Sequence, residues 1–251
     1  MKKINILLCL LFCIFLAACS KKAEESSSNS NTQTTSADAA TEAANNDVAS
    51  DEKLGTKWGD EIDSHVTEVD LKRKSSDPIA ESIVQYADKN YQGKSVNSIS
   101  LAAGKIEFSV IDDQGNKLPI YRVGQSYYLE GREGRSYQLQ YENNTGKTFE
   151  VVASVDGVDV INGSEASRSN AGYILHAHDS LKIEGFRKSE RAVASFTFSK
   201  PEESYAANSD NGSIQNTGVI GTAIYELESP EEEAKPVNKY APPPNAFPAD
   251  R

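Results

Sequence analysis

A period of two runs through the chain from Lys105 onward, and it limits the fold more than any other feature. Ile106, Phe108 and Val110 alternate with polar neighbours before the Asp112-Asp113-Gln114-Gly115-Asn116 cluster turns the chain. Tyr137-Gln138-Leu139-Gln140-Tyr141 alternates strictly and stops at Asn143-Asn144-Thr145-Gly146. Such alternation sets one strand face against a core and the other against water, the habit of antiparallel sheets. Phe149, Val151, Ala153 and Val155 share a face, and Asp156-Gly157 then separates them from Val158 and Val160. A two-residue Asp-Gly loop favours the type I′ turn, whose twist matches that of paired strands. Further strands are read at 118–123, 127–130, 173–177, 181–186, 193–198 and 219–227. With turn signals every ~8 to 15 residues, the expected fold is mainly β: an antiparallel β-sandwich of about nine strands with one short N-terminal helix.

That sandwich is assigned to residues 94–228, ample for one core. Residues 56–93 are read as an edge strand plus the helix. Structure begins at Trp58, and Val69 and Leu71 alternate with charge in an added edge strand over 66–71. The helix signal is Asp77 as N-cap, Pro78 in the first turn, a stripe of Ile79, Ile83 and Tyr86, and Gly93 as the stop. At about 12 to 14 residues, this helix would pack on a sheet.

The flanks have a different composition. Lys2 and Lys3 precede an apolar run that is too short to span a bilayer, and Leu16-Ala17-Ala18-Cys19 follows. This is the lipobox pattern: small residues fit the lipoprotein signal peptidase, and the thiol takes a diacylglycerol. Residues 1–18 are thus expected to be a signal peptide cleaved between Ala18 and Cys19, leaving Cys19 as the lipidated first residue. Ser20, rather than Asp, points to the outer membrane. Cys9 and Cys13 go with the leader, so disulfides and Cys-based zinc sites are excluded. Residues 19–55, rich in Ser, Thr, Asn and Ala, form a tether unable to bury a core, with a reach of roughly 30 Å. Residues 229–251 are an acidic, Pro-rich tail, read as a spacer or as a Pro-rich docking ligand around Tyr240 to Phe247.

Cleavage leaves 24 of the 26 basic residues against 37 acidic ones, a net charge of −13. Nucleic acid is thereby disfavoured as a partner, and contact with anionic lipid is left to the acyl chains. Thr145-Gly146-Lys147-Thr148 has the end of a phosphate loop, but the earlier glycine it needs is Tyr141. His176 and His178 are the candidates for a metal, two apart on a strand. Zinc needs further ligands and the remaining histidine, His65, is distant, so His178-Asp179 is read as a turn. Asp112 to Asn116 lacks the spacing of a calcium loop. Lys72-Arg73-Lys74 and Arg187-Lys188 with Arg191 could grip anionic groups or serve as solvated strand ends. No nucleophile elbow is present, and no cofactor is expected.

Five runs in the C-terminal half stand out together: Ser154-Val155-Asp156-Gly157-Val158-Asp159-Val160, Gly172-Tyr173-Ile174-Leu175, Ile183-Glu184-Gly185-Phe186-Arg187-Lys188-Ser189, Ser204-Tyr205-Ala206-Ala207 and Asn216-Thr217-Gly218-Val219-Ile220-Gly221. They resemble a C-terminal all-β domain of proteobacterial proteins, many of them predicted lipoproteins. The resemblance implies a shared β-fold and carries no reaction with it. Where that pattern has Pro-Gly before Leu181, this chain has His178-Asp179.

The function expected from these features is a non-catalytic envelope lipoprotein, anchored in the outer membrane through Cys19, facing the periplasm or the cell surface, and binding an envelope protein or glycan. The alternatives are a carboxylate-dependent hydrolase acting on glycan or lipid, and a surface adhesin.

Overall fold

The structure is a computed structural model that describes residues 49–67 and 69–228. Cys19, its leader, the tether as far as residue 48, and the Pro-rich tail lie outside the described residues; the end of the expected tether, 49–55, belongs to the fold instead, with Leu54 buried in the core and Lys53 bridged to Ala87. In chain order the strands are β1 (Gly55–Asp63), β2 (Ala80–Ala87), β3 (Lys94–Val96), β4 (Ile99–Leu101), β5 (Ile106–Ile111), β6 (Ile120–Val123), β7 (Ser126–Glu130) and β8 (Ser136–Asn143). There follow β9 (Phe149–Val155), β10 (Val158–Asp159), β11 (Tyr173–Leu175), β12 (Ser180–Ile183), β13 (Gly185–Ser189), β14 (Ala192–Ser199) and β15 (Val219–Glu226). Among the described residues the only helical segments are four three-residue 3-10 turns, and no helix is long and apolar enough to cross a membrane.

The strands form two open sheets. The seven-stranded sheet runs β1-β14-β8-β5-β4, with β12 on β8 and β13 on β14. The eight-stranded one runs β10-β9-β15-β2-β7-β6-β3, with β11 beside β9. One continuous buried cluster draws on both, with Phe108, Tyr137, Leu139 and Phe196 from the first and Val84, Leu129, Val151 and Ile224 from the second. Each such side chain removed from water contributes roughly 1.5–3 kcal/mol, so this shared core binds the sheets together.

Four expectations need correction. The helix over Asp77 to Gly93 is absent, and β2 occupies its place. In that strand Val84 and Tyr86 are buried while Ile83 is 62% exposed, so period two replaces the helical stripe. The adjacent branched pair Ile83-Val84 suits a pleated strand, and pairing with β15 and β7 on either side outweighs the Asp77-Pro78 start signal. Second, β2 and β7 run parallel, so the eight-stranded sheet is mixed rather than antiparallel. Third, the edge strand is β1, displaced from 66–71. A register slip between Trp58 and Glu61, together with the acids Asp60, Glu61 and Asp63, guards this edge against further pairing. Fourth, fifteen strands among the described residues replace about nine. β3 and β4 are too short to show a period, and the single strand read over 181–186 is two.

The last point has a geometric cause. β8 and β14 pair only at Tyr137↔Phe196 and Ser136↔Thr197. Beyond these positions β12 pairs with β8 and β13 with β14, so the bend at Glu184 fills the gap where the two longer strands part. A Cβ on Gly185 would lie 2.0 Å from the Ala194 carbonyl oxygen, and only glycine permits that approach.

Candidate functional site

The Asp156-Gly157 turn forms as expected, with φ of 55° and 75° and Val158 paired to Val155. The Asp156 side chain is entirely buried. Its Oδ2 accepts the Thr56 amide at 2.7 Å, and its Oδ1 accepts the Tyr86 hydroxyl at 2.5 Å and the Gly218 amide at 2.8 Å. The Thr56 Oγ1 lies 2.7 Å from each of the Tyr86 and Tyr137 hydroxyls. One carboxyl therefore ties β1, β2, the β9–β10 hairpin and the start of β15 into a single network that spans both sheets.

Burial pushes the Asp156 carboxyl up to about 6, against the pull of the hydrogen bonds from Tyr86, Thr56, Gly218 and Val219. Burial also holds the Tyr86 and Tyr137 hydroxyls well above their ordinary range, and the Asp156 charge adds to it. A carboxyl titrating near neutrality beside two phenols is chemistry that acid–base catalysis uses. Here, however, protein donors engage both oxygens and no solvent reaches them, so the group acts as a brace. Tyr86 and Gly218 also border a groove of about 460 Å³, with Lys53, Leu54 and Ile214 on its other sides.

A second groove, of about 240 Å³, opens on the other face of β2, β15 and β9, where Ile83, Val152 and Ala223 form an apolar floor beside the Glu81–Arg168 ion pair. Its wall is fixed by Arg73. That guanidinium lies 3.8 Å above the Tyr225 ring and donates to Glu150 at 2.5 Å and to the carbonyls of Arg168 and Asn170. The other Glu150 oxygen accepts the Gly172 amide at 2.6 Å. Together these contacts pin the connection between β10 and β11 over the sheet.

Most residues singled out in the sequence find partners within the fold. Of the first basic cluster, Arg73 is committed to Glu150, and Lys74 pairs with Glu226 at 3.1 Å. Of the second, Arg187 donates to the Tyr173 hydroxyl and the Ser64 carbonyl, and Lys188 pairs with Glu61. His176 and His178 are exposed in the β11–β12 turn, where His178 takes φ 55° and its amide donates to the Thr145 carbonyl. The buried Asn143 holds this turn, donating to the carbonyls of Lys147 and His176. Among the described residues no three His, Cys, Asp or Glu side chains gather as metal ligands. Thr145 to Thr148 lies in the connection between β8 and β9, and Asp112 closes its own turn by accepting the Gln114 and Asn116 amides.

Sequence reasoning missed the Asp156 network and the Arg73 brace. The one available signal for the first was an Asp-Gly pair flanked on both sides by valines, unusually apolar company for a turn. Comparison of the chain with protein-family models, curated proteins and solved structures returned no match.

Proposed function

We propose that this chain is an outer-membrane lipoprotein, held through acyl groups on Cys19 and facing the periplasm, and that its two sheets act as a non-catalytic β-sandwich that binds an envelope protein or glycan. The observation that carries this reading is the enclosure of Asp156. The carboxyl that burial pushes up among the described residues is fully buried and its oxygens are taken by protein donors, which suits a rigid scaffold and leaves it no access to substrate. The Arg73 brace supports the same view, because it spends its fork of donors on internal acceptors. Binding then falls to the surface. The lipobox and the kinship suggested by the C-terminal runs supply the location.

In-cell cross-linking of the lipidated form, compared with a Cys19→Ala form, tests the proposal. A protein or glycan adduct enriched with the lipidated form is the expected result. Recovery of no adduct at all refutes the binding reading, and turnover of envelope glycan or lipid by the purified chain refutes its non-catalytic part.

A further inference from the structure

The polar networks are enclosed, but one aromatic stack reaches the surface. Phe196 and Phe186 meet edge to face at 5.0 Å, Phe186 and Tyr205 lie 4.8 Å apart, and Tyr205 stacks on Trp58 at 4.9 Å with 29° between the planes. Both phenylalanines are buried and Tyr205 is half-buried, yet Trp58, the single tryptophan of the chain, remains 44% exposed. The backing ring is itself fixed, since the Tyr205 amide donates to the Thr56 carbonyl at 2.8 Å. Trp58 sits where the register of β1 slips against β14, and a bulge of this kind turns a side chain away from the regular pleat.

The surroundings of the indole are polar. The Lys188 ammonium lies over the ring, 5.9 Å from its centroid, and pairs with Glu61. Lys57, the preceding residue, pairs with Glu203 at 3.1 Å. The next residues along the strand are Gly59, Asp60 and Glu61. Of the other exposed large apolar side chains, Ile79 and Ile83 belong to β2 and its approach in the other sheet, Val69 to the connection between β1 and β2, and Ile214 to the 3-10 turn that precedes β15. This edge therefore offers one flat apolar ring with charged hydrogen-bonding groups beside it. It has no broad apolar patch of the kind that forms the centre of a protein interface.

We propose that Trp58, backed by Tyr205, is a stacking platform for a pyranose ring of an envelope glycan. This deepens the binding-module reading and rests on it. A pyranose carries C–H groups on its faces and hydroxyls around its rim. Its face takes the place of the Lys188 ammonium over the exposed indole, while its rim meets that ammonium and Glu61. The net charge of −13 left after cleavage repels an anionic polysaccharide, so the ring is neutral or N-acetylated. A fixed aromatic ring presents contact area at small entropic cost, because only two side-chain torsions are ordered.

The sole tryptophan reports directly on its own site. The whole chain is titrated with the tetramer of N-acetylglucosamine and with maltotetraose while indole emission is followed, and retention on purified sacculi is measured in parallel. A saturable emission change with at least one tetramer is expected, with retention on sacculi falling about tenfold in Trp58→Ala and largely restored in Trp58→Tyr. Trp58→Tyr keeps a ring on Tyr205 and serves where the alanine variant fails to fold. No emission change with either sugar overturns the platform, as does retention that ignores both substitutions. A protein adduct from cells alongside a silent indole overturns the platform while leaving the binding module standing.

Discussion

Replacing Asp156 by Asn should abolish a pH dependence that the wild-type fold carries in its most buried carboxyl. The group titrates at about 6 when folded and near 3.9 in an unfolded chain, so the native state holds its proton more tightly. A raised carboxyl pKa means that the full contribution to stability is present below the unfolded value and is lost as pH rises through about 6. Between about pH 7.5 and about pH 5.0 the wild type should gain about 1.4 kcal/mol, from the ratio of proton binding in the two states. Glu107, Asp112 and Glu226 have lowered pKa values, because hydrogen bonds from Ser98, Asn116 and Lys147 respectively lead in favouring their charged forms. Their contributions are lost at more acid pH, which leaves the upper window to Asp156. Asn keeps the turn, since it tolerates the φ of 55° found there. It also sets an amide N–H₂ against the Thr56 amide or against the Tyr86 and Gly218 donors, at a cost of about 1–3 kcal/mol. Urea unfolding of both proteins at the two pH values measures the two effects separately. A wild-type stability that is flat or falling toward pH 5, or an Asn variant that keeps the wild-type slope, would refute the reasoning.

Gly185→Ala should lower stability by about 1–3 kcal/mol or more, because its methyl group meets the Ala194 carbonyl where the two strands part; a thermal melt unchanged within error would count against that packing. Asn143→Ala strips partners from the Lys147 and His176 carbonyls and should speed amide exchange across 143–148 and 176–179, with a loss of about 1–3 kcal/mol. Exchange unchanged in both turns would show that Asn143 does not hold them. Arg73→Lys keeps the charge and loses the fork, so exchange should rise in 166–172 while the core stays protected. Cys19→Ala should leave the β-fold intact and move the protein from the membrane fraction to the soluble one; a variant that still pellets with membrane contradicts the anchoring proposal.

How much of this was legible depended on how local each cause was. Alternation at Ile106 to Val110 and at Tyr137 to Tyr141 marks β5 and β8, because strand faces follow from neighbours two apart. The Asp156-Gly157 hairpin was legible for the same reason. The burial of that turn was not, since it depends on Thr56 and Gly218, both far away in sequence. β2 misled because Ile79, Ile83 and Tyr86 satisfy a helical spacing while Ala80, Ser82, Val84 and Tyr86 satisfy a strand spacing. Only its position between β15 and β7 decides the matter, and no local pattern records it. Trp58 was read as the start of structure, which in fact sets in earlier with Leu54 in the core and β1 at Gly55, and its stacking partner lies almost 150 residues away, in a run singled out only for its resemblance to other proteins.

The place of β15 has a consequence for how the molecule comes into being. It is the last strand among the described residues, yet it lies inside the eight-stranded sheet, bonded to β9 on one side and β2 on the other. Until residues 219–226 arrive, β2 and β9 have no neighbour to join them, and Asp156 lacks its Gly218 donor. Long-range closure of this kind is slow, and it rewards the chain only when complete. A polypeptide threaded across a membrane from its N-terminus would therefore stay open until almost its whole length had crossed. In the export proposed above, it is this segment, rather than the N-terminal strands, that closes the sheet.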